Sequence, residues 1–121
     1  MSSKQIRNPN SQFPNPPRLS RVAETDSTFT RQGRLWVGKC LICNGPIAFD
    51  AVTGEGATLE HILARSRGGT DDPHNLGIAH GSCNGEKGRR WDKKRSRTPE
   101  EYEALVQRFR ERRLQRWRDA Q

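Results

Sequence analysis

The chain has 121 residues, 31% of them hydrophobic, which suits one domain but leaves little material for a large apolar core. A formal charge of +8 and a sequence pI near 10.3 draw it to polyanions, although a merely solubilising surface has the same balance. No segment approaches the ~20 apolar residues of a membrane span, residues 1–17 contain no apolar run, and three cysteines are too few and too odd for a disulfide framework; the expected protein is soluble, cytoplasmic and stabilised by a metal rather than by disulfides.

In chain order, residues 1–20 mix Asn, Ser and Gln with Pro9, Pro14, Pro16 and Pro17, which predicts a flexible tail. From Leu35 to about Arg90 the apolar residues, glycines, cysteines and histidines gather, so the domain is placed at 35–97, closing with the charged linker Lys93-Lys94-Arg95-Ser96-Arg97. Ala57–Leu63 and Asn75–Ala79 read as two antiparallel strands whose connection is too long for a tight hairpin. Ser82 is the expected cap of a short helix running towards Arg90. Thr98-Pro99-Glu100-Glu101 combines an N-cap, a proline at the first helical position and a glutamate at the third, which predicts a basic helix over 98–121. Tyr102, Leu105, Val106 and Phe109 form its apolar stripe, extended by Leu114 and Trp117, while Arg108, Arg110, Arg112, Arg113, Arg116 and Arg118 crowd the remaining face. The stripe is expected to pack on the domain or on a second copy, and the arginines to approach phosphates.

Cys40-Leu41-Ile42-Cys43 and His80-Gly81-Ser82-Cys83 share a two-residue gap that lets both side chains of a tight turn meet one ion. Three thiolates and an imidazole complete a tetrahedral Zn²⁺ shell with no open position, so this ion is expected to be structural. The competing reading is three buried free thiols beside an unrelated histidine.

Leu59-Glu60-His61-Ile62, Arg67-Gly68-Gly69, Asn75-Leu76 and Cys83-Asn84-Gly85-Glu86-Lys87-Gly88 together resemble the HNH nucleases over roughly residues 40–90, the three letters falling on His61, Asn75 and Asn84. The resemblance implies a small α+β fold: a ββα-metal (His-Me finger) nuclease motif stapled by structural zinc, between a flexible N-terminal tail and a basic C-terminal helix. It implies a metal-dependent DNA endonuclease of the type found in phage or mobile elements, acting on double-stranded DNA without a membrane partner, with a homodimer or phage packaging proteins as further partners. Host cytoplasm is the expected location if the gene is a phage's.

Phosphodiester hydrolysis needs a base for the attacking water and a hard cation for the developing charge. His61 suits the first task, since an ordinary imidazole is largely neutral above about pH 6.5. Similarity to the family assigns Glu60 and Asn84 to a catalytic Mg²⁺ or Mn²⁺, and assigns Asn75 to bracing the loop and His61. Glu60 departs from the more usual aspartate, and neighbours on a flat strand point to opposite faces, so Glu60 and His61 share a site only where the strand twists or ends. Gly68 and Gly69 are expected to permit the loop's turn. Arg65, Arg67, Lys87, Arg89 and Arg90 are the expected nucleic-acid contacts, with a solvated surface lysine as the plain alternative for Lys87, and His74 is expected at the surface. The alternative function is a non-catalytic zinc module that binds nucleic acid without using His61 or Asn84.

Overall fold

Residues 18–93 and 97–120 are described by the computed structural model. Along β3 (Pro46–Asp50), Ile47 and Phe49 are buried while Pro46 and Ala48 are exposed, the period of two that a half-buried strand requires. β3 pairs antiparallel with β2 (Leu35–Lys39), and β2 with β1 (Thr30–Gln32), in the sheet order β1-β2-β3. A separate antiparallel pair joins β4 (Thr58–His61) to β5 (Leu76–Ala79), with Thr58 opposite Ala79 and His61 opposite Leu76. α2 (Gly81–Lys87) follows β5 at once, giving the ββα order within a small α+β protein.

All four residues of β5 are buried because both of its faces are covered. On one side, Leu76 and Ile78 join Trp36, Ile47 and Phe49 of the sheet with Val22, Ala23 and Phe29; on the other, Ile62 and Leu41 meet Tyr102, Leu105, Val106 and Phe109. This second layer comes from α3 (Pro99–Gln115), which opens with the expected capping box between Thr98 and Glu101. The loop between β4 and β5 folds back sharply at Gly68, whose φ is 94°, and at Gly69, where a Cβ would sit 1.7 Å from the Leu63 carbonyl oxygen. No side chain fits there.

The packed unit is larger than 35–97. Residues 1–17, most of the expected tail, lie outside the described residues, but Arg18–Ser20 begin α1 (Arg18–Glu24), and the buried Ser20 hydroxyl donates to the Ala51 carbonyl at 2.6 Å. Lys94–Ser96 of the expected linker also lie outside the described residues. His80, not Ser82, is the N-cap of α2; its backbone is extended, while Ser82 falls within the first turn. After Lys87 the helix widens into a π-helical turn, Gly88–Asp92, closed by the Lys93 amide donating to the Gly88 carbonyl at 3.0 Å.

α3 stops at Gln115 rather than 121 because the chain beyond it pairs with residues 25–27: Ser27 N–H donates to the Arg116 carbonyl at 2.6 Å, and Asp26 bridges Trp117. Leu114 does not extend the stripe and is 65% exposed. The buried face continues through Arg113 and Arg116, at the expected steps of four and three from Phe109. Arg113, 1% exposed, donates to the Leu76 carbonyl at 2.7 Å and to the Thr25 carbonyl and hydroxyl at 2.9 and 2.7 Å. Arg112 donates to the carbonyls of Leu41 and Ile42 at 2.6 and 2.9 Å, Arg116 to that of Lys39 at 3.1 Å and to the Asn44 side chain, and Arg118 to those of Glu24, Ala23 and Phe29. These four arginines, expected to approach phosphates, instead satisfy backbone acceptors inside the protein. Arg108 and Arg110 are exposed.

Removing a buried guanidinium orphans several acceptors at once, so Arg113→Ala is expected to lower unfolding stability by about 3 kcal/mol, against less than about 0.5 kcal/mol for the exposed Arg108→Ala. Urea unfolding of the two variants beside the parent protein checks this; equal midpoints for both variants would remove the structural role of Arg113.

Candidate functional site

The turn between β2 and β3 and the start of α2 bring Cys40, Cys43, His80 and Cys83 together, with their ligand atoms all within 4.8 Å of one another. His80 Nδ1 lies 3.4 Å from Cys43 Sγ and 3.7 Å from Cys83 Sγ, near the roughly 3.8 Å edge of a tetrahedron with zinc–sulfur bonds of about 2.3 Å. The second ring nitrogen settles the tautomer. Nε2 faces the Pro46 carbonyl at 3.0 Å, which can only accept, so Nε2 carries the proton and Nδ1 offers its lone pair to the thiols' side. Gly45 N–H donates to Cys43 Sγ at 3.3 Å and His80 N–H to Cys40 Sγ at 3.4 Å. The Gly45 amide holds Cys43 below the ordinary thiol range, whereas burial and the neighbouring Cys40 push Cys83 up to about 12. Thiols drawn together but titrating apart are what a bound cation would reconcile, and this donor set fits structural zinc with no position left open.

A second constellation surrounds the β4–β5 loop. The half-buried His61, at the end of β4, presents Nε2 to Asp71 Oδ1 at 2.8 Å. Arg65 grips the same carboxylate through Nη2, at 2.9 Å to Oδ1 and 2.7 Å to Oδ2, and Arg18 of α1 approaches Oδ2 at 3.1 Å. The hydrogen bonds of Arg65 and His61, with Arg18 beside them, hold Asp71 far below the usual carboxylate range. Asn75 ties the loop across its ends: Nδ2 donates to the Leu63 and Thr70 carbonyls at 3.1 and 2.8 Å, and Oδ1 accepts from Leu63 N–H at 2.9 Å. Its side chain does not hydrogen-bond to His61. Asn84 Nδ2 donates to Thr58 Oγ1 at 3.2 Å and to the Leu59 carbonyl at 3.1 Å, fastening α2 to β4 and leaving Oδ1 for water or a cation.

Glu60 is turned away from His61, as the strand's alternation requires. It is 1% exposed, with Oε2 2.8 Å from Nζ of the equally buried Lys87. That approach is an ion pair without a directed hydrogen bond, and neither carboxylate oxygen has another partner. Lys87 Nζ also donates to Asp92 at 3.0 and 3.1 Å and to the His61 carbonyl at 3.1 Å; Tyr102 donates its hydroxyl to Asp92 at 2.8 Å. Burial raises the Glu60 carboxyl to about 7, with Lys87 opposing and Asp92 reinforcing the rise. Glu60 and Asn84, expected on one divalent ion, are therefore not brought together: the cation at Glu60 is an ammonium from the protein itself. Lys87 is neither a phosphate contact nor a solvated lysine, because the inner face of α2 places it over β4.

Of the other expected contacts, Arg65 and Arg89 are exposed, and Arg90 is exposed with Nε 3.2 Å from Glu86. Arg67 is exposed but donates to the carbonyls of Asp92 and Trp91 at 2.9 and 3.3 Å, with its guanidinium 4.4 Å from the Tyr102 ring centre. His74 lies at the surface, stacked on Trp117 with ring centres 4.0 Å apart. Sequence reading missed Asp71, Asp92 and Arg18. Asp71 was legible only as one of two loop aspartates, and its neighbour Asp72 serves the turn by accepting from His74 N–H.

Residues 40–90 match the family model described as HNH endonuclease. Neither the curated proteins nor the solved structures compared with the chain gave a significant match. No helix among the described residues is long and apolar enough to cross a membrane. A match of this kind implies nuclease-type or nucleic-acid-binding function.

Two expectations follow from the geometry. Structural zinc contributes ~10 kcal/mol or more to small domains, so Cys43→Ser or a strong chelator is expected to abolish the cooperative melt; an unchanged melting curve would mean that the two apolar clusters suffice. Glu60 has a folded pKa raised above its unfolded value, so its contribution to stability is greatest below about pH 4.5 and is lost as pH rises through about 7. Stability of Glu60→Gln relative to the parent is therefore expected to increase across that interval, as measured by urea midpoints at each pH. A difference that does not vary with pH would contradict the raised value.

Proposed function

Because residues 40–90 match the HNH endonuclease family model, we propose that the protein hydrolyses phosphodiester bonds of double-stranded DNA with His61 as general base. The observation that carries this reading is the setting of His61: a half-buried imidazole at the end of β4 beside a braced loop, hydrogen-bonded to a carboxylate and flanked by the exposed cation Arg65. An imidazole so placed takes a proton from water as its oxygen bonds to phosphorus and the bond to the leaving oxygen breaks. Arg65 and Arg89 provide positive charge for the phosphate backbone, which positions DNA without reading its sequence. A Mg²⁺ or Mn²⁺ ion supplies charge neutralisation in such chemistry. Asn84 Oδ1 suits that ion; Glu60, paired with Lys87, does not.

The engagement of Glu60 favours a second reading, a zinc-stapled module that binds nucleic acid without cutting it. Supercoiled plasmid separates the two. Zinc-loaded protein with Mg²⁺ or Mn²⁺ is expected to convert it to open-circular or linear DNA, and His61→Ala is expected to be slower by on the order of 10²-fold or more with its fold intact. Equal, salt-dependent gel shifts by both proteins without any cutting would establish the binding module instead.

A further inference from the structure

His61 Nε2 faces two groups at once, and they make opposite demands on it. Asp71 Oδ1, at 2.8 Å, is a carboxylate oxygen and can only accept; Arg65 Nε, at 3.3 Å, can only donate. A ring nitrogen meets one of these demands, not both. A bare lone pair on Nε2 would set two electron-rich atoms 2.8 Å apart, whereas an Nε2–H forms a short, charge-assisted hydrogen bond to Asp71. The closer partner therefore puts the proton on Nε2. Nδ1 has no hydrogen-bond partner among the described residues, so it is left with a free lone pair.

The carboxylate is itself anchored. Arg65 holds both of its oxygens, Arg18 approaches one of them, and the next residue, Asp72, is fixed by accepting from the His74 amide. Arg18 comes from α1, outside the segment that matches the family, so the arrangement joins this chain's own N-terminal helix to the histidine. The anchoring matters because Asp71 is 44% exposed on its side chain and would otherwise sample many rotamers.

We infer that Asp71 is the positioning residue of His61: held by Arg65 and Arg18, it fixes the imidazole as the Nε2–H tautomer and leaves Nδ1 as the atom that takes the proton. Its catalytic consequence rests on the nuclease reading above, while the pairing itself does not. As the proton arrives on Nδ1, the ring becomes an imidazolium whose charge faces the Asp71 carboxylate, and no proton needs to pass to Asp71.

Two readouts test this in the zinc-loaded full chain. Long-range ¹H–¹⁵N correlation of the histidine rings at pH 8 is expected to show His61 as a single Nε2–H tautomer, distinguishable from His80 and His74 by assignment with His61→Ala. In Asp71→Asn, whose amide can either donate or accept, the His61 signals are expected to move towards a mixture of tautomers. Plasmid nicking at saturating DNA is expected to fall on the order of 10²-fold with little change in the half-saturating DNA concentration, and Asp71→Glu to recover part of the loss. Glu103→Gln, at an exposed position of α3, serves as the control and is expected to leave both readouts unchanged. An Nδ1–H tautomer in the parent protein, or a tautomer and rate unaffected by Asp71→Asn, would overturn the inference. Faster cutting by Asp71→Asn would overturn it too, making Asp71 an internal occupant of the substrate phosphate's place. If the parent protein cuts nothing, the nuclease reading fails, and the ring spectra alone decide the pairing.

Discussion

Backbone carbonyls left open by the short elements of this protein need donors, and α3 with the residues that follow it supplies them as guanidinium groups. The Cys40–Cys43 turn leaves the carbonyls of Leu41 and Ile42 to side-chain donors. Arg112 and Arg116 reach over it to Leu41, Ile42 and Lys39. Arg113 does the same for Leu76 at the start of β5, and Arg118 for the end of α1. Each planar fork satisfies two to four acceptors from a single side chain. A chain with so few apolar residues thus joins its C-terminal helix to the Cys40–Cys43 turn, the β4–β5 hairpin and the N-terminal helix with arginine, and much of its positive charge is structural.

The ββα unit is held from beneath by Lys87. Its ammonium lies between Glu60 of β4 and Asp92 of the π-helical turn, and also accepts no competitor from solvent, being 3% exposed. Two carboxylates, the buried Glu60 and the partly buried Asp92, facing one ammonium leave an excess of negative charge, and the raised Glu60 is the group that responds. The outward side of the same strand carries His61 and its loop. Consecutive residues of β4 therefore divide the labour: Glu60 belongs to the interior and His61 to the surface.

Much of this was legible beforehand because it depends on local spacing. The two-residue gaps of Cys40/Cys43 and His80/Cys83, the capping box at Thr98 and Glu101, and the glycine pair in the loop each encode their geometry within a few residues. Ile47 and Phe49 carried a strand signal in their alternation, yet β1–β3 and α1 are short and gain their stability from packing on one another, which no single window displays. The arginines of α3 show the deeper limit. By composition Arg113 and Arg108 are the same residue; only the continuation of the apolar period through 109, 113 and 116 separates the buried one from the exposed one. The partners of Lys87 and His61 were hidden for another reason: Asp92 is reached through a widened turn, and Asp71 through a loop whose path the sequence does not specify.

That widened turn sets a condition on chain length. Between Gly88 and Asp92 the backbone carries about one residue more per turn than an α-helix, and this surplus brings Asp92 round to face Lys87 and Tyr102. Deleting a single residue here would restore the tighter winding and rotate everything beyond it by about 100°, swinging the carboxylate away from the ammonium whatever residues remained. Among homologues, substitutions in this segment should therefore be tolerated more readily than insertions or deletions, so that its count of residues is inherited more strictly than their identities.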